Sequence, residues 1–216
     1  MNREADHLII TGPSTIQPLD RARLMQQRPF VVWLTGISGA GKSTLANLLE
    51  QTLHSRGLRT ALLDGDSIRL GLNKDLGFTD SDRRENIRRV AEVARLMVDA
   101  GLIVITATIS PIREARESAR ALFAKDEFVE VFVDAPLEVA EARDAKGLYA
   151  LARQGRIRQF TAIEAGYEPP LRHEVHLRTA VMSKDACIDE ILCKLPIGQG
   201  GGVGGRAVES RSVIVG

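Results

Sequence analysis

Short apolar runs alternate with amphipathic segments along most of the chain. Five apolar runs predict strands, and most of them carry apolar residues on both faces, as buried parallel strands do. The predicted strands are 30–35, 60–64, 102–108, 128–134 and 174–179, and the predicted helices are 42–56, 82–100, 111–125, 136–145 and 183–195. This alternation predicts an α/β fold, with right-handed crossovers and a parallel sheet that helices cover on both faces.

The segment 82–100 has the clearest helical pattern. Its apolar residues form one stripe, which comprises Ile87, Val90, Ala91, Ala94, Met97 and Val98. Asp82 and Glu85 have the spacing of a capping box, and Gly101 is a typical stop after the last turn. We therefore expect this helix to begin near Asp82.

The two ends of the chain lack this alternation. Residues 1–28 are interrupted by prolines and predict an irregular N-terminal extension, in which residues 8–10 could form an extra edge strand. Residues 196–216 contain a glycine-rich stretch and predict a flexible tail. The predicted domain therefore spans residues 29–195.

Composition and charge argue against several classes of partner. Among the 216 residues, 26% are charged and the formal net charge is +1, so no overall charge favours nucleic acid or a membrane surface. No apolar run is long enough to cross a bilayer, and the first residues lack the layout of a signal peptide. The sequence thus predicts a cytoplasmic protein that binds any anionic ligand at a local site.

A glycine-rich loop lies between the first predicted strand and the first predicted helix. It fits the pattern G-x-x-x-x-G-K-[ST] and consists of Gly36, Ile37, Ser38, Gly39, Ala40, Gly41, Lys42, Ser43 and Thr44. Glycines let such a loop curl so that its backbone N–H groups point at a phosphate, and the following helix adds its positive end. The position and the pattern together predict a phosphate-binding loop, or P-loop.

Two side chains of this loop predict MgATP as its ligand. Lys42 can bring an ammonium group to the β- and γ-phosphates, where it would stabilise the transferred group as a catalytic residue. Ser43 offers a hydroxyl to Mg²⁺ and is the predicted metal-binding residue. The sequence therefore predicts ATP and Mg²⁺ as cofactors of a phosphotransferase.

An acidic turn follows the second predicted strand. It reads Asp64-Gly65-Asp66, and the carboxyl ends of parallel strands face the ligand crevice. Asp66 could order Mg²⁺ through water or accept a proton from an attacking hydroxyl, so we predict a catalytic role for it. It could also cap a short helix at 67–71, and the two roles are compatible.

Several stretches of the chain resemble the adenylyl-sulfate kinase family of P-loop kinases. They are GISGAGKST, LDGDSIRLGLNKDLGFTDSDRRENIRRVAEVA, ISPIR, VFVDAPLEV, RDAKGLY and YEPP, and they extend from about Phe30 to Thr179. The stretch DGDSIRLGLNKDLGF, followed by DRRENIRR, is the most specific, because most other P-loop kinases lack it. Periodicity and composition alone predict only a P-loop phosphotransferase.

The resemblance implies a five-stranded parallel core and a homodimer that converts adenylyl sulfate and ATP into 3′-phosphoadenylyl sulfate and ADP. It also suggests a sulfate-adenylyltransferase partner. The substrate-binding residues that it implies are Asp66, Arg69, Phe78, Arg83, Asn86, Ile109, Ser110, Lys146 and Phe160. Phe78 would stack on adenine, while Arg69 and Arg83 suit the phosphosulfate anion. Lys146 and Phe160 would belong to a mobile lid.

Some of these residues also fit purely structural roles. Phe78 could be a core side chain, and Arg83 could pair with acidic neighbours on a solvated helix face. The family resemblance implies a phosphorylated active-site serine at Ser110, which we keep among the catalytic residues, although direct transfer is the simpler route. Ser110 could instead cap helix 111–125. The basic segment 144–158 could be a lid or an ordinary surface helix.

The chain departs from the family pattern in three places. Ile112 stands where an aromatic residue is usual, and Ala115 replaces the aspartate of an Asp-Arg pair. The family's FTGID reads FTAIE, with Ala162 and Glu164. These changes lie near the predicted second-substrate and lid regions. They leave two alternatives, another small-molecule P-loop kinase and a non-catalytic nucleotide-sensing module.

Overall fold

The computed structural model describes residues 14–144, 147–156, 161 and 166–197. Its strands are β1 (Phe30–Thr35), β2 (Thr60–Asp64), β3 (Ile103–Ala107), β4 (Phe128–Asp134) and β5 (Val175–Arg178). Its helices are α1 (Pro18–Met25), α2 (Lys42–Ser55), α3 (Gly65–Leu70), α4 (Asp80–Asp99), α5 (Arg113–Ala121), α6 (Leu137–Arg143), α7 (Leu148–Arg153) and α8 (Lys184–Lys194). No helix in these ranges is long and apolar enough to cross a membrane.

The described strands form a parallel five-stranded sheet in the order β2-β3-β1-β4-β5. The central strand β1 is buried along its whole length, and Val32 lies beside Ile105 of β3 and Val129 of β4. Because the chain runs from β1 towards the β2 edge but from β3 towards the β5 edge, the loops that follow the adjacent strands β1 and β3 diverge. A crevice forms at that point in open parallel sheets.

Two apolar clusters cover the two faces of the sheet. On one face, Leu45 and Leu49 of α2 pack with Ile188 and Ile191 of α8. On the other face, α4 and α5 pack against Val31, Trp33 and Val104 of the sheet. Helices on both faces explain why the strands are apolar at nearly every position. The predicted α/β fold with a parallel sheet is confirmed.

One helix lies within the predicted irregular extension, which is a correction. Pro18 occupies the first position of α1, where proline is well tolerated because no hydrogen bond from its nitrogen is needed. The backbone N–H of Gln17 donates to Asp20 Oδ2 at 2.9 Å and closes the first turn. Gln27 Nε2 then donates to Gly101 O at 2.8 Å, which ties the segment to the domain. Residues 1–13 and 198–216, including the suggested strand at 8–10, lie outside the described residues.

Helix α4 begins two residues earlier than the predicted capping box. Thr79 is its N-cap, and the Thr79 hydroxyl accepts a hydrogen bond from the backbone N–H of Asp82 at 3.2 Å. The Asp82 carboxylate accepts in return from the Thr79 N–H. Glu85 instead pairs with Arg88 and Arg89. The capping box is therefore Thr79 with Asp82.

Helix α5, in contrast, begins later than expected. It starts at Arg113 after the N-cap Ile112, so Ser110 does not cap it. Ser110 has a backbone φ of +40°, whereas a residue that caps a helix is normally extended. The predicted capping role for Ser110 is wrong, because its hydroxyl bonds to the sheet instead.

Two further differences between the predicted and the observed elements concern short helices. Helix α3 is capped by Asp64, whose carboxylate accepts from the N–H of Asp66, so Asp66 is not the cap. The predicted helix 136–145 ends at Arg143, and α7 follows it as a separate helix. Gly147, with φ of +65°, makes the turn into α7.

Candidate functional site

A cavity of about 460 Å³ lies where strands β1, β2 and β3 end. From the P-loop it is lined by Ser38, Gly39, Gly41, Lys42, Ser43 and Thr44. From the predicted substrate-binding residues it is lined by Asp66, Arg69, Phe78, Arg83, Asn86, Ile109 and Ser110. The structure therefore brings both predicted groups of residues around one space.

Three residues of the P-loop support it without lining the cavity. Ile37 packs against the apolar core, and Ala40 is fully buried. The backbone N–H of Gly36 donates to the carbonyl of Ile109 at 3.4 Å, which joins this loop to the loop after β3.

Two glycines give the P-loop its shape. Gly39 has φ of +75°, and a Cβ atom at that position would lie 2.4 Å from the carbonyl oxygen of Ala140 in α6. Gly41 has φ of +105° and is the N-cap of α2. Because side chains disfavour such φ values, only glycine allows the backbone to curl here without strain. Helix α2 then begins at the cavity with its positive end.

Lys42 and Ser43 begin α2 and face different partners. Lys42 is buried, and its Nζ donates to the carbonyl of Ile37 at 2.7 Å. Ser43 Oγ donates to Asp64 Oδ2 at 2.6 Å. A hydroxyl and a carboxylate thus meet at the cavity wall, where both are oxygen ligands of the kind that Mg²⁺ prefers. Asp66 lines the same cavity and is exposed.

Helices α6 and α7 hold the P-loop from its other side. The hydroxyl of Tyr149 donates to the carbonyl of Ser38 at 2.8 Å. Burial, together with the nearby carboxylates of Glu141 and Asp144, raises the pKa of Tyr149 to about 12. The hydroxyl consequently remains a proton donor at neutral pH. Arg143, which also lines the cavity, adds a longer bond to the same loop, since its Nη1 donates to the carbonyl of Ala40 at 3.5 Å.

Phe78 and Arg69 form a stacked pair at the cavity mouth. The guanidinium carbon of Arg69 lies 4.4 Å from the centre of the Phe78 ring. Phe78 is 51% exposed, so the interpretation of this residue as a core side chain is wrong. Arg69 Nη1 also donates to the carbonyl of Gly77 at 3.2 Å, which fixes the guanidinium in place. The pair offers a flat ring and a cation side by side.

Arg83 and Asn86 lie one turn apart on α4 and face the same cavity. Arg83 is only 6% exposed, which contradicts its placement on a solvated helix face. Its Nε donates to the carbonyl of Phe78 at 2.9 Å, and its Nη1 donates to the hydroxyl of Thr161. Burial lowers the pKa of Arg83 and of Arg69, yet arginine starts so high that both keep their charge at neutral pH.

Asn86 has its orientation set by a buried neighbour. The Asn73 side chain is fully buried, and its Nδ2 donates to Asn86 Oδ1 at 2.9 Å. This bond uses one of the two lone pairs of the Asn86 oxygen, so the Asn86 amide can still donate through its NH₂ and accept one further hydrogen bond.

Ser110 lies in the cavity wall with its hydroxyl turned towards the sheet. Its Oγ accepts from the indole N–H of Trp33 at 3.2 Å and donates to Thr35 Oγ1 at 2.9 Å. Only 3% of Ser110 is exposed. Ile109, the preceding residue, lines the cavity and accepts from Thr35 Oγ1 through its carbonyl at 2.9 Å.

Part of the predicted lid cannot be placed. Lys146, Phe160, Arg158, Ala162 and Glu164 all lie outside the described residues. Within the described part of the segment, Arg153 pairs with Glu141 at 2.9 Å, as a surface helix would allow. Gly147 and Gly155 both have positive φ values, which is compatible with the predicted hinges.

The family model for adenylylsulphate kinase matches residues 28–178. The chain belongs to this family. An adenylyl-sulfate kinase from Burkholderia ambifaria is 68% identical over 174 residues, which cover 81% of this chain and 96% of the relative. The bifunctional enzyme CysN/CysC from Xylella fastidiosa is 57% identical over 186 residues, 84% of this chain but 30% of that longer protein.

A solved structure supports the same family assignment as these two relatives. It is the APS kinase CysC of Mycobacterium tuberculosis in complex with AMPPNP and APS, which is 44% identical with a TM-score of 0.74. The match covers 77% of this chain and 97% of that one. The predicted membership of the adenylyl-sulfate kinase family is confirmed.

Two departures from the adenylyl-sulfate kinase pattern lie in helix packing. Ala115 is buried in the cluster formed by α4 and α5, and Ile112 packs at the edge of the same cluster. Neither residue lines the cavity. These two departures therefore change side chains that pack behind the site and not side chains that line the cavity.

The sequence analysis missed several residues of this adenylyl-sulfate kinase site. Asp64, Thr108, Arg143 and Leu148 line the cavity beside the predicted residues. Asp64 and Arg143 stand in stretches that carry the family resemblance, and Asp64 also ends a strand next to Gly65, so signals for both were available. Thr108 gave no signal, because a threonine at the end of a buried strand is ordinary.

Proposed function

We propose that this member of the adenylylsulphate kinase family transfers the γ-phosphoryl group of ATP to the 3′-hydroxyl of adenylyl sulfate. The observation that carries the proposal is the single cavity that Ser43, Asp64 and Lys42 share with Arg69 and Phe78. One group of residues suits a triphosphate, and the other suits a sulfated adenine nucleotide. Both products, 3′-phosphoadenylyl sulfate and ADP, follow from that arrangement.

The P-loop would bind the triphosphate of ATP. Its curled backbone, which Gly39 and Gly41 allow, can direct successive N–H groups at the β-phosphate. Lys42 would place its ammonium between the β- and γ-phosphates and stabilise the charge that moves during transfer. AMPPNP, the ATP analogue present with the Mycobacterium tuberculosis relative, supports this assignment.

The pair of Ser43 and Asp64 would hold Mg²⁺. Their oxygens already lie 2.6 Å apart at the cavity wall, and both residues offer hard oxygen ligands. When bound, Mg²⁺ supplies charge neutralisation for the phosphate oxygens. We assign Asp64 to this role beside Ser43, which was the only predicted metal residue.

Asp66 would act on the acceptor hydroxyl. It lines the cavity, as Arg69 does, and is exposed. A carboxylate there can accept the proton of the attacking 3′-hydroxyl or order a water molecule of the metal. Phe78 would stack on adenine, while the cations of Arg69 and Arg83 would bind the phosphosulfate.

Direct transfer between the two nucleotides needs no covalent carrier on the protein. The Ser110 hydroxyl is buried and engaged by Trp33 and Thr35, so its position favours a supporting role over attack on ATP. In-line transfer depends mainly on positioning and on charge stabilisation. We therefore place Ser110 and Ile109 in the wall of the acceptor site.

The lid, the assembly and the location remain predictions from the sequence. Lys146 and Phe160 would close over the nucleotides and exclude water. A homodimer, a sulfate-adenylyltransferase partner and a cytoplasmic location are also kept as proposals. The bifunctional CysN/CysC relative supports a partner in sulfate activation, because its kinase-like part is joined to a second activity in one chain.

A two-substrate assay with product identification tests the proposed function. Purified protein with MgATP and adenylyl sulfate should yield ADP and a nucleotide phosphorylated at the 3′ position, in equal amounts. Lys42→Ala should remove nearly all of this activity, because it deletes the phosphate-binding ammonium. Faster ADP release with another alcohol would point to a different small-molecule kinase, and tight nucleotide binding without turnover would point to a sensing module.

A further inference from the structure

Ser110 has an unusual backbone conformation for a serine in a cavity wall. Its φ of +40° lies in the left-handed region that favours glycine. The other non-glycine residue with positive φ among the described residues is Gln26, which ends α1, where such a conformation is common. A strained backbone conformation persists only when the surrounding structure holds it, so contacts around Ser110 must stabilise this one.

Arg116 supplies the strongest of these contacts. Its Nη1 donates to the carbonyl of Ser110 at 2.6 Å, and its Nη2 donates to the carbonyl of Glu168 at 2.6 Å. Its Nε pairs with Glu130 Oε1 at 3.0 Å. Each of the three guanidinium nitrogens thus donates to a different segment of the chain. The rigid, planar guanidinium of arginine can span these three acceptors, whereas the compact ammonium of lysine cannot.

Both members of this ion pair are buried. Arg116 is 2% exposed and Glu130 on β4 is 4% exposed. A buried pair loses so much hydration that it is a poor source of stability, and an apolar pair of similar size often serves as well. Its role therefore has to be sought in the two backbone carbonyls that Arg116 binds.

Those carbonyls belong to the two segments that meet beside the cavity. The first is residues 109–113, which lead from β3 into α5 and whose first three residues line the cavity. The second is residues 166–170. They are joined further by the Glu168 N–H, which donates to Pro111 O at 3.0 Å, and by the Arg113 N–H, which donates to Glu168 Oε2 at 2.7 Å. Arg116 therefore bridges the two segments through its hydrogen bonds to the carbonyls of Ser110 and Glu168.

We propose that Arg116, oriented by Glu130, is a positioning residue that holds Ser110 in its left-handed conformation and thereby places the 109–113 segment against the acceptor nucleotide. This inference rests on the proposed function for the identity of the acceptor. Arg116 does not line the cavity, so its effect on turnover passes through Ser110 and its neighbours.

Arg116→Lys tests the proposal, with Arg120→Lys as its matched control. Arg120 also binds Glu130, at 3.1 Å, but its other hydrogen-bond partners are Glu174 and the Phe128 carbonyl, not Ser110 or Glu168. Both variants keep a cation beside Glu130. Arg116→Lys should lower kcat/KM for adenylyl sulfate roughly 10- to 100-fold, the cost of a displacement of about 1 Å at a reacting group, with little change in KM for MgATP. Arg120→Lys should stay near wild type.

A double variant separates positioning from stability. Arg116→Met with Glu130→Leu removes both buried charges, so its melting temperature should fall less than that of Arg116→Met alone, which leaves Glu130 buried with one ion-pair partner fewer, while kcat/KM falls as in Arg116→Lys. Arg120 keeps Glu174 as its partner in this variant. If the double variant turns over adenylyl sulfate at the wild-type rate, the positioning role is wrong.

Amide hydrogen exchange distinguishes a failure of this inference from a failure of the proposed function. Exchange at Arg113 and Glu168 should accelerate in Arg116→Lys and not in Arg120→Lys, whatever the acceptor is. If wild-type protein does not phosphorylate adenylyl sulfate but exchange changes as expected, the proposed acceptor is wrong and the positioning role stands. Unchanged exchange together with unchanged turnover would overturn the positioning role.

Discussion

Asp64 and Asp66 stand two positions apart and have different surroundings. Both oxygens of Asp64 are engaged, one by the Ser43 hydroxyl and one by the Asp66 N–H. Asp66 projects from the first turn of α3 and lines the cavity. At the scale of single residues, the acidic turn therefore divides into a residue suited to hold a metal and a residue suited to act on the acceptor.

Substitution of each aspartate by asparagine should separate these roles. Asp66→Asn should lower kcat by roughly 10²- to 10⁴-fold, the usual contribution of a general base. Asp64→Asn should raise the Mg²⁺ concentration needed for half-maximal rate, because it removes a charged oxygen ligand. Initial rates across a Mg²⁺ titration measure both effects. Normal turnover by Asp66→Asn would refute its catalytic assignment.

Phe78 should determine affinity for the acceptor nucleotide. Phe78→Leu keeps an apolar side chain but removes the ring that would stack on adenine. The KM for adenylyl sulfate should rise roughly 2- to 12-fold, as expected for loss of an aromatic pair, while the KM for MgATP changes little. Phe78→Tyr retains the ring and serves as the control. An equal rise of both KM values would contradict the assignment.

At the scale of elements, the P-loop is shaped by its contact with α6 as well as by its own glycines. Gly39 meets the Ala140 carbonyl so closely that no side chain fits between them. Tyr149 of α7 and Arg143 of α6 add hydrogen bonds to the P-loop carbonyls of Ser38 and Ala40. The nucleotide site consequently depends on two helices that follow β4 in the chain.

Gly39→Ala should displace the P-loop from α6 and abolish ATP binding. Gly57→Ala is the matched control, since Gly57 has nearly the same φ, +77° against +75°, but nothing lies within 4 Å of an added Cβ. Each variant should lose roughly 1–2 kcal/mol of unfolding free energy from backbone strain. Only Gly39→Ala should lose affinity for ATP, as measured by calorimetric titration. Normal ATP affinity in Gly39→Ala would show that the loop can move without loss.

The sequence predicted the elements that arise from local patterns. The buried strand β1 and the helix α2 were placed to within a residue, because an apolar run and the P-loop pattern define them. The start of α4 and the role of Ser110 were not predicted, since Thr79 competes with Asp82 as a cap and Trp33 competes for the Ser110 hydroxyl. Contacts such as Tyr149 with Ser38 join residues 111 positions apart, and no local pattern reports them.

At the scale of the whole molecule, ion pairs link the sheet to the helices on one face. Glu130 of β4 binds Arg116 and Arg120 of α5, and Arg120 also binds Glu174 just before β5. The stability of the molecule should therefore depend on the ionisation of Glu174, whose carboxylate joins Arg120 to the start of β5.

Glu174 should make the protein less stable in acid. Burial opposes ionisation of Glu174, but hydrogen bonds from Arg120 and the Glu130 N–H outweigh burial and lower its pKa below 4.5. A depressed folded-state pKa adds stability above the unfolded-state pKa of about 4.3, and this stability is lost as pH falls through the folded-state value. Thermal unfolding from pH 7 to pH 3 should therefore show a smaller loss for Glu174→Gln than for wild type. An identical loss in both proteins would contradict this contribution.

Trp33 is the only tryptophan of the chain, and its indole N–H reaches from the fully buried core to the hydroxyl of Ser110 in the cavity wall. The emission spectrum of the unlabelled protein therefore comes from one indole whose hydrogen bond ends at the acceptor site. Any movement of the segment around Ser110 would change the polarity and quenching that this indole experiences. Adding each nucleotide in turn in a stopped-flow fluorimeter would then reveal the order and speed with which the site is filled.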